Sequence, residues 1–384
     1  MSFVEELTWR GLVQQSTDPE LATKMRESGP WTIYIGFDPT ADSLHVGSLL
    51  PLLTLVRAQR AGLNPIALVG GATGMIGDPS GKSEERKLMP LEVLRHNVGA
   101  LAAQMQRYVP GALMVDNFEW FQGYGYLDFL RDIGKHFSVN MMLGKESVRA
   151  RLEDREHGIS YTEFSYMLIQ AYDFLSLYDR HGCMLQVGGS DQWGNITAGI
   201  DLVRRLRGKE VFGLTMPLVT NASGQKFGKS EKGNVWLDAN RTSPYDFYQF
   251  FFRVDDRDVG RFLRYFTFLE EKEILALEEQ VKTAPEKREA QRRLAREVTK
   301  IVHGEAAVAQ SESELPSTAM ALPKPLVDVL VECGLCASKS DARRQIAQGG
   351  VYVDGQRIAD DKYVLEQGAT LQRGKKDKHV ITKA

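Results

Sequence analysis

The 384-residue sequence is poor in cysteine and contains no arrangement of cysteines that would fix a fold. Its three cysteines, Cys183, Cys333 and Cys336, cannot all pair with one another. Cys333 and Cys336 are spaced as half of a zinc site, but no second CxxC pair or histidine cluster completes one. The sequence therefore argues against a disulfide-stabilised secreted domain and a zinc protein, and it favours reduced thiols in a cytoplasmic protein.

Long apolar runs and an excess of charge of one sign are also missing. The N-terminal segment MSFVEELTWRGLVQQ contains acidic residues and lacks an apolar centre, so we do not expect a signal peptide. No run reaches the roughly 18 apolar residues that a membrane helix needs, and no membrane partner is expected. The 48 Lys and Arg residues nearly balance the 50 Asp and Glu residues, so a polyanion must be bound by local patches.

Alternating patterns in the first 220 residues predict a parallel β-sheet covered by helices on both faces. The predicted strands are 31–37, 64–71, 112–117, 183–189 and 216–220, and the clearest predicted helices are 48–62 and 161–182. Ligands of such sheets collect beyond the carboxyl ends of the strands. Polar residues that follow the strands are therefore the first candidates for a site.

The remaining sequence changes character twice. From about 240 to 320 strand patterns disappear, and dense charge at helical spacing predicts a helical domain, with a linker rich in Ser, Pro and Glu at 311–325. Residues 326–384 predict a small α+β unit with two helices, a strand at 351–353 and a hairpin turn at Asp354-Gly355. From Lys324 to Ala384, 11 Lys and Arg against 8 Asp and Glu give a net charge of +3.

Two short motifs indicate a nucleotide site, whereas a third only looks like one. GGATGMIGDPSGKS (70–83) is not a Walker loop, because Gly77 precedes Gly81-Lys82 by one residue too few. In QKFGKSEKG (225–233) two lysines three apart suit a polyphosphate, and in HVG (45–47) a histidine stands at a helix start, where free N–H groups attract anions. Taken alone, the lysine motif could be a solvated turn, and the histidine could be a structural residue. Their occurrence in one chain favours an ATP site.

HVGS and KFGKS resemble the HIGH and KMSKS signatures of class I aminoacyl-tRNA synthetases. Longer blocks resemble, in order and spacing, the bacterial tyrosyl-tRNA synthetase family: YIGFDPTADSLHVGSL, ALVGGATGMIGDPSGKSEER, YTEFSYMLIQAYDF and LQVGGSDQWGNITAG. The segment LVECGLCASKSDARRQIAQGGVYVDGQRI resembles a small RNA-binding module that is shared with a ribosomal small-subunit protein. The resemblance covers nearly the whole chain. It implies an α/β fold with a Rossmann-like parallel-sheet catalytic domain (1–235), an α-helical anticodon-binding domain (236–320) and a C-terminal α+β RNA-binding module (325–384).

The resemblance also implies a reaction and its partners. L-Tyrosine is activated with Mg-ATP to tyrosyl-adenylate and pyrophosphate, and the tyrosyl group is then transferred to the 3′-terminal ribose of tRNA(Tyr), without a covalent enzyme intermediate. ATP enters as a substrate together with Mg²⁺, and no protein-bound metal is expected. A homodimer in the cytoplasm is the expected form.

The resemblance assigns roles to individual residues. Those implied for tyrosine are Tyr34 and Asp173 at the phenol hydroxyl, Asp78, Tyr166 and Gln170 at the ammonium group, and Gln192 near the carboxyl group. Those implied for ATP binding are Asp38, Gly47, Ser48, Asp191 and Lys229, and those for the reacting phosphates are Thr40, His45, Lys82, Arg86, Lys226 and Lys229. Those implied for RNA are Lys339, Arg343, Arg344 and Arg357, with the run 373–378. Independently of any family, Tyr166, Gln170 and Asp173 lie at i, i+4 and i+7, on one face of a helix.

The sequence departs from the HIGH signature at Ser48, where a second histidine is usual. Serine is shorter and cannot carry charge, so catalysis is expected to depend on Thr40 and His45, with a weaker ATP-binding role for Ser48. Pro51 removes an intrahelical hydrogen bond unless it falls in the first turn, so the helix is expected to start late or to bend unless Pro51 lies there.

Three other interpretations share part of this pattern. Tryptophanyl-tRNA synthetases have the same architecture, but Tyr34, Asp173 and the C-terminal module argue against them. A small-molecule nucleotidylyltransferase would use His45 and ATP, yet it has no use for two downstream RNA-type domains. A non-catalytic RNA-binding descendant would be expected to have eroded motifs, and only Ser48 visibly departs here.

Overall fold

The computed structural model describes residues 2–80, 89–145, 148–149, 152, 158–230, 233–313, 317–374 and 377–383. The chain divides into two compact units, Met1–Glu305 and Ala306–Ala384. Lys82 and Arg86 lie outside the described residues, as do residues 375–376 of the basic run 373–378.

The first unit is built on a sheet whose described strands have the order β1-β6-β5-β2-β3-β4. These strands are β1 (Gln15–Ser16), β2 (Thr32–Phe37), β3 (Asn64–Val69), β4 (Leu113–Asp116), β5 (Cys183–Gly189) and β6 (Phe212–Met216). Only β1 is antiparallel to its neighbour among them. The chain runs outward from β2 to β4 in one direction and from β5 to β6 in the other. The switch point, where ligands of such sheets bind, therefore lies between β2 and β5.

The prediction of an α/β fold with a parallel sheet is confirmed, but the predicted strand at 216–220 is misplaced. The strand β6 ends at Met216. Pro217 follows directly, and proline has no N–H group to donate to a sheet. The residues that form the strand are the apolar run before this proline.

Helices pack on both faces of the sheet. The helices of this part of the chain are α1 (Phe3–Trp9), α2 (Leu21–Glu27), α3 (Leu49–Arg60), α4 (Thr73–Ile76), α5 (Leu91–Tyr108), α6 (Phe118–Phe121), α7 (Tyr126–Asp132), α8 (Val139–Leu143), α9 (Tyr161–His181) and α10 (Trp193–Arg207). Successive residues of β2 alternate between two hydrophobic cores, as the pleat of a strand requires. Ile33 and Ile35 lie in one core with α3 and α5, and Tyr34 lies in the other with α9 and α10.

Two of these helices carry most of the predicted site, and their ends follow from local chemistry. A single 3₁₀ turn, Val46–Ser48, leads into α3, and Pro51 is the third residue of that helix. The helix therefore does not start late, because an N–H group in the first turn has no partner to lose. At the start of α9 the Ser160 side chain accepts a hydrogen bond from the Glu163 N–H group, and Gly182 ends the helix in the left-handed conformation.

Beyond the sheet the first unit is helical, as predicted. Its helices are α11 (Pro244–Phe252), α12 (Asp256–Phe266), α13 (Glu271–Thr283), α14 (Glu289–His303) and the start of α15 (Glu305–Ser313). Two short strands, β7 (Lys229–Ser230) and β8 (Gly233–Asn234), precede them as an antiparallel pair. The sheet and these helices lie in the same compact unit, and the boundary at 235 stays a prediction.

The second unit contains the predicted α+β elements. Among the described residues it contains the rest of α15 and the helices α16 (Leu326–Glu332) and α17 (Lys339–Ala347), and its strands are β9 (Ser317–Met320), β10 (Lys324–Pro325), β11 (Val351–Val353), β12 (Gln356–Ile358), β13 (Val364–Leu365), β14 (Ala369–Arg373) and β15 (Asp377–Lys383). Asp354 and Gly355 both have positive φ, which confirms the tight hairpin. The linker prediction is wrong for 317–320. These residues form β9, which pairs with β15 and buries Met320 in the core of the unit.

Candidate active site

A cavity of about 330 Å³ lies at the carboxyl ends of β2 and β5, at the switch point of the sheet. It brings together predicted site residues from four separate stretches of chain. Those that line it are Tyr34, Asp38, Thr40, His45, Gly47, Ser48, Asp78, Tyr166, Gln170, Asp173, Asp191 and Gln192. Lys226 is not among the lining residues, and Lys82, Arg86 and the side chain of Lys229 lie outside the described part of the chain.

One end of the cavity is formed by two buried polar groups, Asp173 and Tyr34. Asp173 is 1% exposed, and its carboxylate accepts hydrogen bonds from Trp120 Nε1 at 2.9 Å and Asn117 Nδ2 at 3.1 Å. Burial raises the pKa of Asp173 to about 7 even though these hydrogen bonds act in the opposite direction. Among the described residues, the buried Tyr34 hydroxyl has no hydrogen-bond partner. Such a hydroxyl is costly to bury, so this end of the cavity is suited to a ligand that carries a hydroxyl group.

Three residues near Asp173 and Tyr34 were not predicted from the sequence: Asn117, Trp120 and Gln186. Asn117 is fully buried; it accepts a hydrogen bond from Ala72 N at 2.6 Å and donates to Thr73 Oγ1 at 3.0 Å, besides its bond to Asp173. It directly follows β4, but the predicted strand 112–117 included it, so the rule about polar residues after strand ends did not select it.

Gln186 was missed because it lies inside a predicted strand rather than after one. It stands beside Tyr34 in the pairing of β5 with β2 and lines the cavity. Its Oε1 atom is buried without a hydrogen-bond partner among the described residues. The signal in the sequence was a glutamine in an otherwise apolar run.

A second group of polar side chains, around Asp78, lies in the middle of the cavity. Asp78 accepts hydrogen bonds from Gln192 Nε2 at 2.7 Å and Ser80 N at 2.9 Å. Burial and the nearby Asp38 raise the pKa of Asp78, and these hydrogen bonds oppose that rise. Gln192 is oriented in turn by Asn195, which donates to its Oε1 atom at 3.1 Å. A buried carboxylate with an oriented amide is suited to binding a ligand ammonium group.

His45 stands at the start of the 3₁₀ turn that leads into α3, and it lines the same cavity. Its Nδ1 atom accepts a hydrogen bond from Gly47 N at 2.9 Å, so in this arrangement Nε2 is the nitrogen that carries the proton of the neutral ring. The backbone on either side of His45 is held by a second segment, since Val46 N donates to Val235 O at 2.8 Å and Leu237 N donates to Leu44 O at 2.9 Å. His45 is thereby fixed at a helix start, a place that favours anions.

The lysine loop, which contains Lys226 and Lys229, passes close to this helix start. Gly228 has a φ of +108°, and a Cβ atom at this position would lie 3.0 Å from Gly47 N. The preceding Phe227 packs among four phenylalanines of α11 and α12, Phe250, Phe251, Phe262 and Phe266. Lys226 is also close enough for its charge to lower the pKa of Asp191, although burial raises that pKa more strongly. The histidine and lysine motifs therefore meet at one site.

The four residues predicted to contact RNA are all engaged within the second unit. Lys339 is ion-paired with Asp328 at 2.8 Å, Arg343 with Asp361 at 3.9 Å and Arg344 with Asp341. Arg357 donates to the Gln348 carbonyl oxygen at 3.2 Å. Their contact with RNA stays a prediction, because exposed pairs of this kind are weak enough to exchange partners.

Within the described ranges, no group of three or more His, Cys, Asp or Glu side chains could hold a metal ion. None of the helices of the described chain has the length and apolar character needed to cross a membrane. The expected lack of a resident metal stays a prediction.

The parallel sheet, the histidine at a helix start and the adjacent lysine loop together define a class I aminoacyl-tRNA synthetase. A sequence model of the family described as "tRNA synthetases class I (W and Y)" matches residues 26–318. A second one, described as "Tyrosine–tRNA ligase SYY-like C-terminal domain", matches residues 307–381. The first of these families spans both tryptophan and tyrosine enzymes, so close relatives are needed to separate them.

The sequences of relatives distinguish the tyrosine enzymes from the tryptophan enzymes. The chain is 49% identical to a tyrosine–tRNA ligase of Roseiflexus castenholzii, over 99% of either chain, and 48% identical to that of Geobacillus stearothermophilus, again over 99% of both. A solved structure of a truncated mitochondrial tyrosyl-tRNA synthetase from Aspergillus nidulans matches with a TM-score of 0.73 and 33% identity, covering 81% of this chain and 92% of that one. The chain belongs to the tyrosyl-tRNA synthetase family.

Ser48 is the one visible departure in the histidine motif, and its role can be tested by substitution. Ser48 lines the cavity, and its side chain makes no capping hydrogen bond to α3, so it is free to meet a ligand. We expect Ser48→His to lower the KM for ATP about threefold to tenfold, because the longer histidine gains a hydrogen bond to ATP. We expect Ser48→Ala to raise this KM, because the serine hydroxyl and its hydrogen bond are lost. The KM for tyrosine should not change. Equal ATP KM values and activation rates in all three proteins would show that Ser48 has no ATP-binding role.

Proposed function

We propose that this chain is a tyrosine–tRNA ligase. It forms tyrosyl-adenylate from L-tyrosine and Mg-ATP with release of pyrophosphate, and it transfers the tyrosyl group to the 3′-terminal ribose of tRNA(Tyr). The observation that carries the proposal is the pair of buried polar groups, Asp173 and Tyr34, in a cavity that His45 also lines. The reaction belongs in the cytoplasm, where tRNA is charged.

In the activation step the tyrosine carboxylate attacks the α-phosphate of ATP. No protein nucleophile takes part, so the chain contributes binding, orientation and electrostatic stabilisation. Thr40 and His45 would contact the leaving pyrophosphate, with Lys226, Lys229, Lys82 and Arg86 adding positive charge, and the Mg²⁺ ion arrives with ATP and neutralises phosphate charge. Asp38, Gly47, Ser48 and Asp191 would hold the ribose and adenine.

Selection of tyrosine follows from the phenol end of the cavity. The substrate hydroxyl would donate to the Asp173 carboxylate and accept from the Tyr34 hydroxyl, which satisfies both buried groups at once. Phenylalanine would leave both unpaired, and a site that is built to bind a hydroxyl strongly rejects the analogue that lacks one. Asp78, Tyr166 and Gln170 would bind the ammonium group, with Gln192 near the carboxyl group.

We further propose that the chain acts as a homodimer. Three large apolar or aromatic side chains, Tyr126, Leu127 and Tyr161, are strongly exposed; Leu127 follows Tyr126 on α7, and the Tyr126 and Tyr161 hydroxyls lie 3.2 Å apart. A contiguous exposed patch of this kind is typical of a protein interface. A second copy is the partner that the family implies.

The dimer can be tested at Leu127, which is 77% exposed. We expect Leu127→Asp to shift the protein from dimer to monomer, because it places a charge in the middle of a buried apolar contact. Sedimentation velocity at equal concentrations would measure this. The control is Leu275→Asp, which changes a leucine that is 48% exposed on α13, away from the patch. A dimer that survives Leu127→Asp would contradict the proposal.

The proposed function is tested most directly by amino-acid-dependent exchange of pyrophosphate into ATP with all twenty amino acids. Tyrosine alone should support exchange, and tRNA(Tyr) should then accept tyrosine. Exchange with tryptophan would instead indicate the other branch of the family. Exchange with no amino acid would identify a non-catalytic relative.

A further inference from the structure

The loop between β2 and α3, residues 38–44, carries Thr40 and leads into His45, yet most of it is not part of a helix or strand. Its conformation must therefore be fixed by contacts from outside. Two buried amide side chains of α5, Asn97 and Gln104, supply such contacts. We propose that Asn97 and Gln104 are positioning residues that hold Thr40 and His45 in place for ATP activation. The inference rests on the proposed function.

The two amides bind the two ends of this loop. Asn97 Nδ2 donates to the Pro39 carbonyl oxygen at 3.0 Å, one residue before Thr40. Gln104 Oε1 accepts from Leu44 N at 2.7 Å, one residue before His45, and Gln104 Nε2 donates to Ser43 Oγ at 3.2 Å. Each amide is thus bonded to the residue next to a side chain that is expected to contact phosphate.

The spacing along α5 explains how one helix reaches both ends of the loop. Asn97 and Gln104 are seven residues apart, so they lie on the same face of the helix, about 10 Å apart along its axis. Between the two anchored ends Thr40 is exposed and lines the cavity. The loop is thereby fixed near both ends, and Thr40, between the two anchors, faces the cavity.

Packing alone does not explain two amides at these positions. Their neighbours on α5 that face the core, Leu94, Leu101 and Met105, are buried and apolar. Asn97 and Gln104 are just as buried, at 4% and 7% exposure, and a buried amide is unfavourable unless it is hydrogen-bonded. Apart from a 3.8 Å contact of Asn97 Nδ2 with Met89 Sδ, their hydrogen bonds are made to the loop, so what they stabilise is the conformation of the loop.

The test compares Gln104→Met with Gln106→Met. The first removes the bonds to Leu44 and Ser43, and the second is the same substitution on an exposed glutamine of the same helix that bonds only to Pro110. We expect Gln104→Met to lower kcat for tyrosine-dependent pyrophosphate exchange about 10- to 100-fold, since small misplacements of catalytic groups are costly. The KM for tyrosine and its Kd should stay within twofold of the wild type, about the limit of such a measurement. Gln106→Met should match the wild type throughout.

A second variant tests the hydrogen bond itself. In Asn97→Asp an ionised carboxylate would face the Pro39 carbonyl oxygen and repel it, whereas a protonated carboxyl group would again donate to it. The activity of this variant relative to wild type should therefore recover as the pH is lowered from about 8 to about 6, because burial raises the pKa of an aspartate. A residue that matters only for folding would not give this recovery.

The outcomes separate the inference from the proposed function. If the wild-type protein gives no tyrosine-dependent exchange, the proposed function fails before any variant is compared. If the wild type is active and Gln104→Met keeps its kcat, the inference is overturned. Loss of tyrosine binding or of the thermal unfolding transition in both variants would overturn it as well, since the amides would then support the fold in general.

Discussion

Replacing Asp173 with asparagine is expected to lower kcat/KM for tyrosine about 10- to 100-fold, the range for loss of a hydrogen bond to a charged group. The carboxylate accepts from Trp120 and Asn117, and it would accept from the substrate phenol as well. An asparagine has one oxygen acceptor for these three donors, and its own N–H groups would face at least one of them. The preference for tyrosine over phenylalanine should fall with it, while the KM for ATP should stay the same.

The pH dependence gives this prediction a second readout. The pKa of Asp173 is raised to about 7, and the ionised form is the better acceptor for a phenol. We therefore expect kcat/KM for tyrosine to increase as the pH rises through about 7 in the wild type and to be flat there in Asp173→Asn, because kcat/KM reports the free enzyme. A wild-type profile that falls over this range, or an intact tyrosine preference in the variant, would contradict the assignment.

The same pKa has a consequence for stability. Between about pH 4 and pH 7 the native state holds a proton on Asp173 that the unfolded state has lost. The free energy of unfolding should therefore contain a contribution that decreases as the pH rises through this window. Thermal unfolding of the wild type and of Asp173→Asn across the window would measure it.

Replacing His45 with alanine is expected to lower kcat for pyrophosphate exchange about 100- to 1000-fold, the usual effect of removing one group that stabilises developing charge. The KM for tyrosine should change little, because the role proposed for His45 is a contact with the leaving pyrophosphate and not with tyrosine. Single-turnover formation of tyrosyl-adenylate would measure the step directly. His96→Ala is the matched control, since His96 is exposed on α5. Comparable losses in tyrosine binding and in activation would instead mean that His45 supports the structure.

The elements that carry the site could be predicted because their signals are local. The helix α9 has a serine cap, a glycine end and a regular apolar face, and β2 and β3 are uninterrupted apolar runs. The resemblance selected Tyr166, Gln170 and Asp173, and their spacing predicted that they share one face of α9; the structure places all three in the cavity. The roles of these residues stay predictions.

The residues that were missed depend on contacts that are distant in sequence. Asn117 and Trp120 matter because they orient Asp173, more than 50 residues away along the chain. Gln186 matters because β5 pairs with β2, a register that no local pattern reveals. The strand at 317–320 was hidden for a related reason, since its partner β15 lies at the other end of the unit.

The anchoring of Phe227 limits how freely parts of this protein could be exchanged with those of relatives. Its ring fits among four phenylalanines of α11 and α12. The next residue, Gly228, lies against Gly47 in the 3₁₀ turn before α3. A lysine loop grafted from another synthetase would carry its own residue at position 227, and that side chain would be placed in a pocket that is shaped for phenylalanine. A chimaera that transplants the lysine loop should therefore also include α11 and α12 of the same relative, because the loop packs against both helices through Phe227.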